Sequence, residues 1–321
     1  MQNYYFPTED YKTSSYVGKT SPADYNIHNS EFFDLHNRAI CISSDSYQTR
    51  LLSHQCTFTK CSYSSYKGGS IYFGTRGACA LIKVCATEAL NTGSDNGGIF
   101  SYQEVSKEDS PINLIDLSTI FNCGVSNSGN NMIGFVNGNV TLSNTNESRN
   151  LASTDPFYQV DNAIEAQVKF CEFENSTSSY HTMAIDWSRE TLNSCNVVKC
   201  KLTNIQGVIY LFNSQVTLTN CAILQHESSV YFYIIKISYL TLIKCAIDCD
   251  STGFDTQGSP SNKFNTNLLG KSSFINTMSL LEYQTCLNKD FYKVQNKACM
   301  SDNFLHYTYI STSYASAFIS R

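Results

Sequence analysis

The sequence is poor in charged residues, in proline and in tryptophan. Charged residues make up 15% of its 321 residues, and there are 5 prolines and 1 tryptophan. An average globular protein is about 25% charged. Here Ser, Thr, Asn, Tyr and Cys take up the difference, and these residues suit strands and turns better than the surfaces of helices. The low charge therefore favours a β-rich fold, and the 13% aromatic content excludes a disordered chain.

The sequence also lacks a basic patch. Its 22 Lys and Arg are outnumbered by 27 Asp and Glu, the net charge is −5, and no basic run occurs. Affinity for nucleic acid depends on neutralising phosphates with Lys and Arg. We therefore expect no nucleic-acid partner.

Two kinds of apolar segment are missing as well. Residues 1–10 read MQNYYFPTED and have neither the basic start nor the apolar run of a signal peptide. The most apolar stretch, residues 230–243, is interrupted by Lys236 and is too short to span a bilayer as a helix. From these features we expect a soluble chain without a transmembrane segment.

The sequence contains recurring short phrases. A short apolar phrase, such as GGSIYF at residues 68–73, recurs seven times. Its anchor residues are spaced by 28, 34, 25, 27, 24 and 22 residues. These anchors are Ile71, Ile99, Ile133, Tyr158, Ile185, Ile209 and Tyr231. The period is about two dozen residues, which is the signature of a repeat architecture.

A second phrase lies between the first ones and alternates apolar residues with Thr or Ser, as in VTLTNC at residues 216–221. Strict alternation indicates a half-buried strand. The phrases close at Cys61, Cys85, Cys123, Thr145, Cys171, Cys200, Cys221 and Cys245. Both series of spacings lengthen across residues 103–113 (QEVSKEDSPIN). We therefore predict that this charged segment is an exposed insertion.

Strands recurring every 22 to 25 residues, without helical spacing, exclude a leucine-rich repeat or a propeller. The remaining solution is an all-β fold, a right-handed parallel β-helix (solenoid) of about 8 to 10 coils with terminal caps. We assign residues 1–40 to an N-terminal cap, residues 41–250 to the repeats, and residues 251–321 to degenerate coils or a C-terminal cap. The isoleucine anchors (Ile71, Ile99, Ile133, Ile185 and Ile209) and the apolar residues of the second phrase (Val216, Leu218, Leu240 and Leu242) should face inward.

The residues that precede the closing positions also fit this fold. They are Lys60, Asn122, Asn144, Lys199, Asn220 and Lys244. Asn is the commonest non-glycine residue in a left-handed conformation. We therefore predict tight corners at these residues.

One combination of motifs carries a family resemblance. The pattern Cys56-x-Phe-x-x-Cys61 is followed by Gly68-Gly69-x-Ile71-Tyr72. It resembles the GGAI-type repeats of polymorphic outer-membrane adhesins. It is also similar to the pectin-lyase-like, Cys-, Asn- and Tyr-rich right-handed β-helix proteins of trichomonad protists. The likeness extends over residues 3–250, roughly.

This resemblance implies a non-catalytic surface or adhesive rod, on the cell surface or outside the cell. Its partner is then a host or matrix protein or a glycan. The chain departs from the many longer family members that end in a membrane helix. Since no signal peptide is visible, a cytoplasmic location is the alternative, with an intracellular scaffold as the function.

The 14 cysteines admit three interpretations. They can be small buried hydrophobes that need no chemistry. Alternatively, stacked coils bring neighbouring Cα atoms into disulfide range, so that Cys200, Cys221 and Cys245 could be linked if oxidised. A zinc site fits least, because the C-x-x-C pairs of such sites are missing and no histidine lies among the cysteines. We expect neither a metal nor a cofactor.

The rival hypothesis is a carbohydrate-active enzyme, a polysaccharide lyase or glycosidase, since such enzymes occur on β-helices. They need clustered carboxylates with a basic residue nearby. The candidates are Asp248 and Asp250, which flank Cys249, and Asp186 beside Trp187, a potential sugar platform. Paired acids at a strand end are more often solvated, and a tryptophan is more often in the core. We therefore expect no catalytic residue, whereas a groove with two convergent carboxylates and a base would favour the enzyme.

Overall fold

The computed structural model describes residues 8–64, 67–93, 97–108, 111–125, 129–204, 206–249, 253–257 and 263–268. Within these ranges there is no α-helix, and every pairing between its strands is parallel. The strands stack as about nine coils of a β-solenoid, which confirms the predicted fold class. The right-handed sense of the winding stays a prediction. Each coil visits three sheets, which we name I, II and III in chain order.

Sheet I has ten strands: β2 (Val17–Lys19), β5 (Ile40–Ser44), β9 (Ile71–Thr75), β13 (Ser101–Glu104), β16 (Asn131–Val136), β19 (Asp155–Asp161), β23 (Met183–Asp186), β27 (Ile209–Phe212), β30 (Phe232–Ile235) and β32 (Phe254–Gln257). Sheet II contains β1 (Thr8–Tyr11), β3 (Asp24–His28), β6 (Arg50–His54), β10 (Ala78–Ile82), β14 (Ile112–Asp116), β17 (Asn139–Ser143), β20 (Glu165–Lys169), β24 (Arg189–Asn193), β28 (Gln215–Thr219), β31 (Tyr239–Ile247) and β33 (Lys263–Leu268).

Sheet III contains β4 (Glu31–Phe33), β7 (Thr57–Thr59), β11 (Cys85–Thr87), β15 (Thr119–Phe121), β18 (Asn146–Ser148), β21 (Glu172–Glu174), β25 (Asn196–Val198), β29 (Ala222–Leu224) and the end of β31. Two short pairs complete the coils: β8 (Ser62–Tyr63) with β12 (Leu90–Asn91), and β22 (Thr177–Ser178) with β26 (Lys201–Leu202).

Side-chain alternation places the core inside the coils. Successive residues of a strand point to opposite faces, so one set of side chains faces inward in every coil. The residues predicted to face inward are at most 1% exposed, which confirms the prediction. They are Ile71, Ile99, Ile133, Ile185, Ile209, Val216, Leu218, Leu240 and Leu242. Identical positions of neighbouring coils stack on one another, as Phe32 does on Phe58 with ring centroids 5.1 Å apart.

The corners between sheets are turned by single residues in the left-handed region. All six residues predicted for this role have φ between 48° and 55°, which confirms the prediction. Their backbone amides still pair with the next coil: the N–H of Asn220, for example, donates to the carbonyl of Ile243 at 2.9 Å. A left-handed residue therefore changes the chain direction without breaking the stacking.

The cysteines occupy two columns, so the prediction of a single closing series was wrong. Cys171, Cys195, Cys221 and Cys245 follow sheet II, at the entrance to sheet III. A second column, at the exit from sheet III, contains Cys61, Cys123 and Cys200. At each of the two corners, a left-handed residue is followed by a small buried residue. The two corners therefore have the same sequence pattern, and the prediction treated them as one position. The two cysteines of a C-x4-C motif, such as Cys56 and Cys61, therefore lie at the corners before and after one strand of sheet III.

Most of these cysteines are buried thiols. Nine free cysteines of the described ranges are buried, while Cys85 is disulfide-bonded. The thiol of Cys221 donates to the carbonyl of Thr219 at 3.3 Å. Burial raises the pKa of Cys61 to about 11 and that of Cys123 to about 12. In this structure these side chains act as small core residues.

The predicted insertion is shorter than residues 103–113. Gln103 and Asn113 are fully buried members of β13 and β14, so the prediction of an exposed segment was wrong at both ends. The extra length lies in residues 105–111, where Lys107 and Glu108 are exposed. Sheet register explains the difference, because the strands on either side must keep their pairing with both neighbouring coils.

The ends of the solenoid are continuous with its sheets. Strands β1 to β4 lie within residues 1–40, the segment assigned to a cap, and the first complete coil begins at Val17. At the other end, β32 and β33 continue sheets I and II. The remainder of the predicted C-terminal segment, residues 269–321, lies outside the described residues.

Two glutamates point into the core. Glu147 is fully buried and Glu190 is 3% exposed. The hydroxyl of Tyr158 donates to Oε1 of Glu190 at 2.6 Å. The second oxygen of Glu190 and both oxygens of Glu147 accept no hydrogen bond within the described part of the chain. Burial raises the pKa of Glu190 to about 7, and that of Glu147 well above its ordinary value.

We predict that Glu190→Gln removes part of the pH dependence of stability. Glu190 ionises near pH 4.5 when unfolded and near pH 7 when folded. The free energy of unfolding should therefore be highest below pH 4.5 and fall as the pH rises to 7. At pH 8 the variant should be more stable than the parent by about 3 kcal/mol, measured by urea denaturation. The exposed Glu165→Gln is the control, and an equal pH slope in parent and variant would contradict the assignment.

Candidate functional site

The outer face of sheet I carries a column of side chains in strict register. Tyr72 and Tyr102 stack at one end with ring centroids 6.2 Å apart, and Tyr210 and Tyr233 stack at the other, 5.9 Å apart. The coils between them place smaller or polar residues in the same column, in the order Gly134, Gln159 and Ala184. The column of rings is therefore interrupted, and the gap forms a groove.

This groove has a volume of about 420 Å³. It is lined by Asp155 and Gln159 from β19, by Asp186 from β23, by Tyr210, and by His181 just before β23. Tyr233 and Ile235 of β30 close one end. Small-ligand sites have volumes of about 300–1,000 Å³ and a few convergent polar groups. The groove meets both criteria.

A chain of hydrogen bonds fixes the polar groups at the bottom of the groove. The side-chain amide of Asn131 donates to Oε1 of Gln159 at 2.7 Å. In turn, Nε2 of Gln159 donates to Oδ2 of Asp186 at 2.9 Å. Because both ends of the Gln159 amide are engaged, its orientation and that of the Asp186 carboxylate are fixed before a ligand binds.

Asp155 and His181 form a buried pair beside these residues. Nδ1 of His181 contacts Oδ1 of Asp155, and the side chains are 11% and 2% exposed. The imidazole also stacks on Tyr210, with ring centroids 4.7 Å apart. Burial raises the pKa of Asp155, and the contact with His181 opposes that shift. The pair thus connects a carboxylate to the aromatic wall of the groove.

Asp186 is a groove carboxylate that titrates near neutral pH. Burial, together with the nearby carboxylates of Asp155 and Asp161, raises its pKa to about 6, against the opposing hydrogen bond from Gln159. Burial and the charge of Asp186 also raise the pKa of Tyr210 to about 12. At neutral pH the groove therefore contains an ionised carboxylate beside a neutral phenol that can donate a hydrogen bond.

The structure separates the predicted site residues. Asp186 lies in the groove. Asp248 is not among its lining residues, and it accepts hydrogen bonds from the hydroxyl of Tyr231 and the backbone N–H of Gln225, both at 2.7 Å. Asp250 lies outside the described residues, so the pair Asp248 and Asp250 stays a prediction.

Trp187 is 56% exposed, so the expectation that it belongs to the core was wrong. It is the left-handed corner residue between sheets I and II, with φ of 52°, and a corner points its side chain outward. Its ring packs against Phe212 with centroids 5.5 Å apart. An exposed indole stands next in the chain to Asp186.

Sequence reasoning missed Asp155, Gln159, His181, Tyr210 and Tyr233. Three of them lie within two residues of an anchor: Gln159 follows Tyr158, Tyr210 follows Ile209, and Tyr233 comes two residues after Tyr231. An alignment of the phrases by their inward residues would have placed these side chains in one outward column. Asp155 and His181 precede the phrases at irregular positions, and no periodic signal marks them.

Comparisons of the chain with protein-family models, with curated proteins and with solved structures find no match. The predicted likeness to pectin-lyase-like, trichomonad or adhesin proteins therefore stays a prediction.

Among the described residues, no group of three or more His, Cys, Asp or Glu could hold a metal ion. In the same part of the chain, no helix has the length and hydropathy needed to cross a membrane.

We predict strong energetic coupling between Asp155 and His181. Removing one member of a buried pair leaves the other uncompensated, so His181→Ala should lower the free energy of unfolding by about 3 kcal/mol. In a double-mutant cycle with Asp155→Asn, we expect a coupling energy of about 1–3 kcal/mol. Chemical denaturation at pH 7 measures all four proteins. Additive effects would show that the contact does not stabilise the groove.

Proposed function

We propose that the protein is a non-catalytic β-solenoid that binds glycan chains in the groove on sheet I, on the cell surface or outside the cell. The observation that carries the proposal is the groove itself, where stacked aromatic rings meet fixed amide and carboxylate groups. The family resemblance of the sequence supports the surface location. The parallel solenoid supports the adhesive role, because it holds many outward side chains in one rigid array.

The chemistry of the groove suits a sugar. A sugar ring has one apolar face and a rim of hydroxyl groups, each a donor and an acceptor. Tyr210 and Tyr233 offer the apolar edges of stacked rings, each with a polar tip. Gln159 and Asp186 offer acceptors whose directions are set by the hydrogen-bond chain. Such preorganisation lowers the entropic cost of binding.

The groove also fits a chain better than a single small molecule. It lies on the outer face of sheet I, whose outward column continues through Gly134 towards Tyr102. A Cβ atom at Gly134 would lie 2.6 Å from the ring of Tyr102, so this glycine makes room for the ring. An oligosaccharide extending from the groove would therefore follow this column over Gly134, and Tyr102 itself is 7% exposed.

We predict that binding depends on the tyrosines of the groove. Calorimetric titration with a panel of plant, mucin and chitin-type oligosaccharides should identify a ligand. Tyr210→Ala should then weaken that ligand by about tenfold, as expected for an aromatic residue at the centre of a site. Tyr72→Ala, a tyrosine of the same column outside the groove lining, should change the affinity less than twofold. An equal loss in both variants, or no binding by the parent, would contradict the proposal.

The second candidate function is glycoside hydrolysis. It is favoured by the raised pKa of Asp186, which suits a general acid, together with the second carboxylate of Asp155 and the nearby imidazole of His181. The groove thus has two carboxylates and an imidazole, but Asp155 is 2% exposed and is already in contact with His181. Against a lyase, no Lys or Arg is among the described lining residues of the groove.

A direct assay separates binding from catalysis. The protein is incubated with the same polysaccharide panel, and new reducing ends and unsaturated products are followed. Our proposal predicts no turnover, and Asp186→Asn should weaken binding without abolishing it, because contacts are distributed over several side chains. Turnover in the parent that disappears in Asp186→Asn would establish the enzyme instead.

An intracellular scaffold remains the alternative to a surface protein. Surface proteolysis of intact cells, combined with a count of free thiols on protein from its native source, separates the two locations. Protein cleaved on intact cells supports the proposal. Protein that is protected until lysis supports the scaffold.

A further inference from the structure

The charges around the groove are predominantly negative. Asp155 and Asp186 line it, and Asp161 is the register partner of Asp186 on the neighbouring coil. The described lining has no Lys or Arg, and His181, the one residue there that can become cationic, is already in contact with Asp155. A ligand that enters the groove therefore meets unbalanced negative charge.

The proximity of these carboxylates is itself unfavourable. Besides burial, the charges of Asp155 and Asp161 raise the pKa of Asp186, while His181 opposes that shift. Burial and the charge of Glu104 raise the pKa of Asp161, whereas the charges of Lys67 and Lys107 lower it. A positive charge placed beside Asp186 would relieve this repulsion, whereas a negative one would add to it.

The tyrosines of the groove present their edges and hydroxyl groups. Tyr210 stacks on His181 on one side and on Tyr233 on the other, so both of its ring faces are covered. Its phenolic oxygen can accept a hydrogen bond from an ammonium group. The preference for a cation therefore rests on the carboxylates of a cavity of about 420 Å³.

We propose that the groove is selective for cationic amino sugars, such as the residues of a polyglucosamine chain, over neutral sugars and uronic acids. This inference rests on the proposed glycan-binding function. The ammonium group of the sugar lies against Asp186 and the hydroxyl group of Tyr210, and the sugar hydroxyl groups are hydrogen-bonded by Gln159 and Asp155. A uronic acid would place a third carboxylate beside Asp155 and Asp186.

The test compares sugars of equal length that differ in charge. The probes are hexamers of glucosamine, N-acetylglucosamine and galacturonic acid, titrated calorimetrically at pH 6 and at physiological ionic strength. We expect the glucosamine hexamer to bind at least about tenfold more tightly than the N-acetylated one. The galacturonate hexamer should show no measurable binding.

Variants separate the groove from general attraction to an acidic protein. Asp186→Asn should weaken the glucosamine hexamer about fivefold and leave the N-acetylated one within twofold. Asp161→Asn repeats the test if Asp186→Asn fails to fold. Glu165→Gln removes the same charge from the exposed outer face of sheet II and should have no effect. Equal losses in Asp186→Asn and Glu165→Gln would overturn the inference.

A permanently charged ligand tests the role of Asp186 without titration of the ligand. Affinity for an N,N,N-trimethylated glucosamine hexamer should fall as the pH is lowered from 7.5 to 5, because Asp186 becomes protonated, and this fall should be smaller in Asp186→Asn. A pH-independent affinity in the parent would overturn the inference.

Equal or tighter binding of the neutral N-acetylglucosamine hexamer would also overturn the inference but leave the proposed function intact. Failure of every sugar to bind would overturn both.

Discussion

The in-register parallel hydrogen bonding of successive coils is the interaction on which the rest of the structure depends. It fixes every residue above the equivalent residue of the previous coil, for instance Val216 beneath Leu240 and Thr217 beneath Thr241. A one-residue slip would turn the entire apolar set outward. Extra residues are accommodated between strands, as in residues 105–111, or in a local bulge, as where β19 pairs with β16.

The sequence was sufficient to predict the solenoid, the buried anchors and the left-handed corners, because all three repeat with the coil. It was misleading where two structural positions have the same local pattern, as at the two cysteine columns. It also failed for Gln103 and Asn113, whose polarity suggested exposure although register places them inside. The contact between Asp155 and His181 joins residues of different coils, and no local pattern reveals it.

The groove follows from the same register. Tyrosines of neighbouring coils stack in one outward column of sheet I. For three coils the same column contains Gly134, Gln159 and Ala184 instead, and these smaller or polar residues leave a depression between the rings. The residues that fill it come from neighbouring coils at their fixed spacing, so the site is as rigid as the sheet below it. Burial in this depression, together with nearby carboxylates, explains why Asp186 titrates near pH 6.

The central claim is that sheet I, and no other face, binds a sugar chain at this groove. Hydrogen–deuterium exchange of the intact protein, with and without a saturating amino-sugar oligomer, tests it most directly. The account predicts slower exchange in the segments around Asp155–Asp161, Met183–Asp186, Ile209–Phe212 and Phe232–Ile235, with sheets II and III unchanged on their outer faces. Protection confined to sheets II or III would contradict the account.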